Sequence, residues 1–170
     1  MRLRPETAED REFLFALYAS TREEELRGLP WAAEQRNAFL RSQFEAQTYH
    51  YRTWYPDAAF QLILLEGIPV GRLCLLSDAN QIRLIDIALL PAYRGKGVGS
   101  EIFTGMLADA DKAALPVILH VERSNRAQRL YRRYGFTVIA DDGVYLLMLR
   151  EPRPVGCDGI PTEKAFHKVA

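Results

Sequence analysis

Ile82-Arg83-Leu84-Ile85-Asp86-Ile87-Ala88-Leu89-Leu90-Pro91-Ala92-Tyr93-Arg94-Gly95-Lys96-Gly97-Val98-Gly99 is the stretch on which the reading of this chain turns. Ile82 to Leu90 is apolar apart from Arg83 and Asp86, the pattern of a buried strand. A glycine-rich basic turn follows, and Val98, Ile102, Met106 and Ala110 then recur at helical spacing, which predicts a helix from about Gly97 to Ala113. Glycines let a backbone approach a ligand with no Cβ in the way. The first N–H groups of a helix lack internal acceptors, and the helix dipole adds positive charge at that end. Strand, turn and helix start together form an anion site. The Gly95-x-Gly97-x-Gly99 spacing matches neither the dinucleotide fingerprint nor the nucleotide-triphosphate loop. The turn alone also fits an ordinary connection, so the surrounding elements must decide.

Those elements run in a regular order. Leu3 to Pro5 reads as a short strand, and Thr7 with Asp10 resembles a capping box before a helix with Phe13, Leu14, Leu17 and Tyr18 on one face. Arg22 to Leu26 reads as a charged connector, a solvated loop or a short helix end. A second helix is expected from about Trp31 to Trp54, with Phe39, Leu40, Phe44 and Tyr51 towards the core. Phe60–Glu66 and Pro69–Leu76 form a hairpin across Gly67-Ile68. Pro116 to Glu122 is a strand, and Ser124/Asn125 opens a helix ending near Tyr134-Gly135. Phe136–Asp141 and Val144–Arg150 close the pattern as a hairpin across Asp142-Gly143. The order is β-α-α-β-β-β-α-β-α-β-β. The prolines and glycines of residues 151–170 exclude a long helix or a central strand, leaving a tail, docked or disordered.

The bulk numbers exclude several classes. The 170 residues suit one domain, here 1–150. The 22 basic and 22 acidic side chains cancel, which argues against general nucleic-acid binding. No run reaches the roughly 18 apolar residues of a membrane span. The N-terminus lacks a signal-peptide apolar region. Cys74 and Cys157 read as free thiols of a reducing compartment, so the cytoplasm is expected. No Cys/His cluster has metal-ligand spacing, so no metal is expected.

Two spaced motifs in this order carry a resemblance. Arg94-x-x-Gly97-x-Gly99 matches Gln/Arg-x-x-Gly-x-Gly/Ala at the central strand-to-helix turn. Downstream, Leu119-His120-Val121-Glu122-Arg123-Ser124-Asn125 is followed by Leu130-Tyr131-x-x-Tyr134-Gly135-Phe136. Over residues 2–150 the chain resembles the GCN5-related N-acetyltransferase (GNAT) family. The resemblance implies an α/β (α+β) fold: a mixed, mostly antiparallel sheet of about seven strands, flanked by about four helices and splayed between two central parallel strands. It implies acetyl-CoA as cosubstrate, its pantetheine arm against backbone groups near Leu89 and Leu90. The pyrophosphate would meet backbone N–H groups of Arg94, Gly95, Lys96, Gly97, Val98 and Gly99. Asn125 matches the asparagine that bonds the cofactor arm, a position where it would equally serve as a helix cap. Arg126 and Arg129 are expected near the 3′-phosphate.

The implied chemistry is direct attack of a primary amine on the thioester through a tetrahedral intermediate. A neutral amine is required, and a lysine-like amine has a pKa of about 10.4. A backbone N–H near Leu89 would serve the oxyanion. Tyr131 matches the family tyrosine that protonates the leaving thiolate. The base is left among four: His120, which titrates near neutrality; Glu122, two residues on, which would orient His120 or bind the amine; Asp86; and water. Many members carry an acid or histidine where Ile85 stands. Asp86, next to it, is expected to point to the other sheet face. The acceptor is a small-molecule amine or a protein N-terminus, with Trp31, Tyr49, Tyr51 and Trp54 as candidate walls. Nucleic acid and membrane are not expected partners, and the chain is a monomer or homodimer. The alternative is a non-catalytic acyl-CoA-binding or sensor module of the same fold; a third reading is an interaction protein in which the turn is only a turn.

Overall fold

The computed structural model describes residues 1–154, and residues 155–170, most of the expected tail and Cys157 with it, lie outside the described residues. Among the described residues, seven strands form one sheet: β1 (Arg2–Pro5), β2 (Ala59–Leu65), β3 (Ile68–Ser77), β4 (Ile82–Leu89), β5 (Val117–Glu122), β6 (Thr137–Asp141) and β7 (Tyr145–Arg150). Their order across the sheet is β1-β2-β3-β4-β5-β7-β6. Only β4 and β5 pair in parallel; every other neighbouring pair is antiparallel.

Four α-helices cover the faces: α1 (Arg11–Leu26), α2 (Ala33–Trp54), α3 (Val98–Lys112) and α4 (Gln128–Arg133). Helix α3 buries Val98, Ile102, Met106 and Ala110, the stripe read from the sequence, together with Phe103 and Leu107. These join Leu73, Leu84, Leu119 and Met148 of the sheet in one core. On the opposite face, α1 and α2 pack Leu14, Phe15, Tyr18, Leu40 and Phe44 over Leu62. The sheet is therefore buried on both faces at its centre, which explains the nearly continuous apolar runs of β3 and β5.

Of the two readings of Arg22–Leu26 the helix end holds: it is the last turn of α1, with Leu26 buried in the α1–α2 core and an Arg22–Glu25 ion pair at 2.9 Å. Two expectations change. Phe39 is 40% exposed and stacks edge-on against Trp31 at 5.0 Å, because Leu40 and Phe44 occupy the core stripe of α2. Helix α4 begins at Gln128; Ser124 and Asn125 form a turn ahead of it.

Ion pairs hold both ends of the described residues to the sheet and helices. Arg4 pairs in a fork with Asp10 at 2.9 and 2.8 Å, and Asp10 also accepts the Thr7 N–H at 2.8 Å. Arg150, buried at the end of β7, makes a second fork to Asp111 of α3 at 2.7 and 2.8 Å. Asp111 further accepts the Arg153 N–H at 2.7 Å, which holds the start of the C-terminal segment.

The Arg150 guanidinium, with its hydrogen bonds, holds the Asp111 carboxyl below the usual range. A depressed carboxyl pKa contributes stability above the unfolded value, and the contribution is lost as pH falls through the folded value. Asp111→Ala leaves a buried guanidinium unpaired and is expected to cost about 3 kcal/mol. Urea unfolding at pH 7 measures it; at a pH low enough to protonate Asp111, mutant and wild type converge. A loss below about 0.5 kcal/mol at pH 7 would mean the pair is no better than a surface one.

Candidate active site

Strands β4 and β5 part company midway. Pairing covers Ile82↔Val117, Arg83↔Ile118 and Leu84↔Leu119 and then stops, although β4 runs on to Leu89 and β5 to Glu122. The cause lies on the other edge of β4. There Leu75 faces Leu84 but Cys74 faces Asp86, so Ile85 is an unpaired extra residue. Such a bulge bends its strand and increases local twist.

The bulge also reverses which residues face which way. Ahead of it, Ile82 and Leu84 point into the α3 core; beyond it, Ile87 and Leu89 pack there. Asp86 therefore shares a face with its pair partner Cys74 and with Arg72. Simple alternation sends Asp86 to the face opposite Ile85; the bulge overturns this and aims it into the opening. A cleft of about 340 Å³ results, lined by Ile85, Asp86, His120, Glu122, Asn125 and Tyr131 among others.

In the turn that follows β4, Gly97 starts α3 in the left-handed region at φ 86°, with free space where a Cβ would stand. Among the described residues, no backbone or side-chain acceptor meets the N–H groups of Gly95, Lys96, Gly97, Val98, Gly99 and Ser100. Glu101 is the first to bond back, to Gly97 O at 3.0 Å. The Arg94 N–H is already held by Pro91 O at 3.2 Å, so Arg94 leaves the expected set of free donors. Its side chain ties the turn down instead, donating to Leu89 O at 2.8 Å and to Ser20 Oγ of α1 at 3.1 Å. Leu90 is also removed from the groups expected to face a ligand: its N–H donates to Val70 O at 2.9 Å, and its carbonyl accepts from Tyr93 at 2.9 Å. Antiparallel alternation turns the N–H groups of Leu89 and Ile87 to the opposite edge, into the opening.

Arg129 is exposed and does not line the cleft. The residues from this region that reach the first turn of α3 are Arg133 of α4, 3.3 Å from Ser100 Oγ, and Tyr134 just after it, whose hydroxyl donates to Ser100 O at 2.9 Å. Asn125 borders the cleft, and its Oδ1 accepts the Ala127 N–H at 2.9 Å in the turn ahead of α4; Ala127 is the N-cap, so Asn125 does not take the expected capping position.

Tyr131 is 7% exposed and packs against Phe103 and Phe136. Burial, reinforced by the Asp86 carboxylate, pushes its phenol up to about 12. The shift keeps the phenol protonated at physiological pH. Asp86 is itself raised by burial, an effect opposed by Arg72, whose Nε stands 3.4 Å from Asp86 Oδ2. Arg72 is the functional-site neighbour that sequence reading missed. It is 5% exposed and lies also 3.4 Å from the buried Glu6 and 3.0 Å from Cys74 Sγ. Its signal was a lone cation inside the apolar run Pro69–Leu76. Burial pushes the Cys74 thiol up to about 12, so it is a neutral partner rather than a nucleophile.

His120 is on the exposed rim of the cleft. Its Nδ1 meets Arg83 Nη1 at 3.3 Å, and no hydrogen bond joins it to Glu122. Arg83, not Glu122, orients the ring. Burial and the Arg83 charge lower its pKa, with Asp142 opposing. Of the expected aromatic walls only Tyr51 lines the cleft; Tyr49 and Trp54 are 74% and 70% exposed, and Trp31 is away from it. Tyr55 and Tyr145 take their places in an adjoining cavity of about 320 Å³. Among the described residues no group of His, Cys, Asp and Glu has the geometry of a metal site, and no helix is long and apolar enough to cross a membrane.

A mixed sheet opened between two parallel strands, above a glycine-rich helix start, is the architecture of the N-acetyltransferases. The model of the Acetyltransferase (GNAT) family matches residues 21–136, and the chain belongs to that family. Among solved structures it is similar to the PaiA N-acetyltransferase of Thermoplasma acidophilum in complex with coenzyme A. Identity is 20% over 88% of this chain and 98% of that one, with a TM-score of 0.66. A Corynebacterium glutamicum protein described as histone acetyltransferase HPA2 and related acetyltransferase is 23% identical over 95% and 98%, TM-score 0.60. A GNAT family acetyltransferase of Elizabethkingia anophelis with acetyl-CoA bound is 16% identical over 88% and 97%, TM-score 0.56. At these identities the likeness is one of fold. A comparison with curated proteins found no match.

NMR titration of the His120 ring is expected to give a midpoint below 6.5, so the neutral imidazole dominates at pH 7. Arg83→Met should raise it while leaving it under 6.5, because burial, the larger cause, persists. A midpoint unmoved by that substitution would exclude Arg83 as its neighbour in solution.

Proposed function

We propose that the chain is an acetyl-CoA-dependent N-acetyltransferase that acetylates a primary amine within the β4–β5 opening. The observation that carries this reading is the opening itself. The turn that follows β4 presents unpaired N–H groups from Gly95 to Ser100, and the buried Tyr131, its phenol pushed up by burial, lines the opening. Coenzyme A in the T. acidophilum relative and acetyl-CoA in the E. anophelis one support the choice of ligand. The residues fit it. Six successive N–H groups at a helix start suit a pyrophosphate, and the Leu89 and Ile87 edge suits an extended amide arm, with Arg94 releasing the Leu89 carbonyl.

The thioester supplies the acetyl group, and this chain's residues do the rest. The Leu89 N–H is aimed at the carbonyl oxygen, where negative charge develops as the C–N bond forms. His120 takes the proton that the amine sheds. As the C–S bond breaks, Tyr131 gives its proton towards sulfur. Asp86, ion-paired to Arg72, stabilises the positive charge that the nitrogen carries before His120 takes its proton; Glu122 also lines the opening, its side chain without a partner among the described residues.

Three measurements test this. Acetyl-CoA should raise the melting temperature of the wild type, and absence of a shift would sink the reading. Gly97→Ala should abolish most of that shift while costing only about 1 kcal/mol of stability, since the added Cβ strains a left-handed residue but meets no neighbour. Tyr131→Phe should lower kcat by about a hundredfold or more with acetyl-CoA affinity nearly intact. If affinity and turnover fell together, Tyr131 would be packing and not an acid. Binding of acetyl-CoA with no thiol release against any amine would favour the sensor alternative instead.

A further inference from the structure

Arg83 is a half-buried cation with no carboxylate within ion-pair distance among the described residues. Its guanidinium faces the His120 ring, 3.3 Å from Nδ1, and borders the cavity beside the cleft. One carboxylate lines that cavity, Asp142, and it is otherwise engaged. Its Oδ1 accepts the N–H groups of Val144 at 2.9 Å and Tyr145 at 2.6 Å in the β6–β7 turn. A guanidinium partly removed from water and set beside an imidazole is an unfavourable arrangement until an anion joins it. The cavity and the cleft share Leu84, Ile85 and His120, so Arg83 stands on the acceptor side of the reacting centre.

We propose that the acceptor is an amino acid: a small amine carrying a carboxylate one or two carbons from its nitrogen. Arg83 binds that carboxylate, and the rings of Tyr51, Tyr55 and Tyr145 flank the side chain. The inference rests on the acetyl-transfer reading above. Spacing selects the class. Because Arg83 touches His120, an anion on the guanidinium and a nitrogen at Nδ1 can be only a few bonds apart. A protein N-terminus has an amide where the carboxylate must be, and a polyamine has a second cation, so each leaves Arg83 without its anion. The planar fork of arginine suits a carboxylate taken through two parallel hydrogen bonds.

The same contact bears on the base. While Arg83 donates to Nδ1, that nitrogen's lone pair is occupied and the remaining proton sits on Nε2. A carboxylate that draws Arg83 away returns the lone pair just as the amine arrives. The amine proton then passes to Nδ1, the C–N bond forms, the C–S bond breaks, and the Tyr131 proton goes to sulfur.

The test pairs each amino acid with its own carboxamide, for phenylalanine, leucine and glutamate. Turnover with acetyl-CoA is read for each free amine. Calorimetry in the presence of coenzyme A is read for each N-acetyl product, so the comparison does not depend on turnover. At least one acid should exceed its carboxamide by about tenfold or more in kcat/KM or in affinity. Arg83→Met should erase that ratio, and Arg83→Lys should keep part of it. Equal use of acid and carboxamide, preference for the carboxamide or for a tripeptide N-terminus, binding of neither, or a ratio that survives Arg83→Met would each overturn the proposal. Should Arg83→Met fail to fold, the wild-type ratios decide. The acetyl-CoA thermal shift separates the two readings: without it acetyl transfer itself fails, whereas a shift with no acid preference removes the amino-acid acceptor alone.

Discussion

Everything in the site depends on one extra residue in β4. A parallel pair of strands zipped along its full length would bury its backbone groups in hydrogen bonds and leave nothing for a ligand. Ile85 has no partner on β3, and the strand bends where β5 continues straight. The bend exposes an edge of backbone N–H and C=O groups inside the protein rather than at the rim of the sheet. It also reverses side-chain parity, which sends Asp86 into the opening and Ile87 and Leu89 into the core. A single insertion thus creates both the opening and the charge that borders it.

That charge is held by a stack of compensations. Arg72, buried in mid-sheet, stands between Asp86 and Glu6 and against the Cys74 thiol. Burial raises the Asp86 carboxyl, and the one cation that it shares with Glu6 opposes that rise. Asp86 in turn helps keep Tyr131 protonated. Earlier on the same strand the sign is reversed: burial, with the Arg83 charge beside it, lowers the His120 pKa. The Tyr131 phenol and the His120 imidazole, which border one cleft, are thus shifted in opposite directions by loss of water and by neighbours of opposite charge.

Much of the fold was legible because its signals are local. The apolar stripe of α3 and the β2–β3 hairpin are written in spacing of three to four and of two residues, although the turn falls at Glu66-Gly67, one residue ahead of the expected Gly67-Ile68. The glycine turn is likewise local, since Gly97 at φ 86° needs no distant partner to start the helix there. The site was legible in its list of side chains more than in their arrangement. His120, Glu122, Asn125 and Tyr131 are readable as candidates and do border one cleft, while Arg72 and Arg83 look like ordinary strand charges. Arg129 stands out in the sequence as a phosphate ligand, although it is Arg133 that reaches Ser100. The mismatch has a simple origin: on a six-residue helix, which arginine turns inward is set by how the helix packs, not by its sequence.

By itself the sequence determined the order of the elements, the two core stripes, the anion-binding character of the turn and the family the chain resembles. Each of these rests on periodicity or on backbone freedom, properties of neighbouring residues. Only the tertiary structure decided where β4 leaves β5, which face Asp86 takes, that Arg94 spends its side chain on Leu89 and Ser20, and that Arg83 rather than Glu122 governs His120. These depend on strand register and on contacts between residues as much as 74 positions apart. A one-residue slip in pairing inverts every side chain beyond it, and no local pattern in this chain announces that slip.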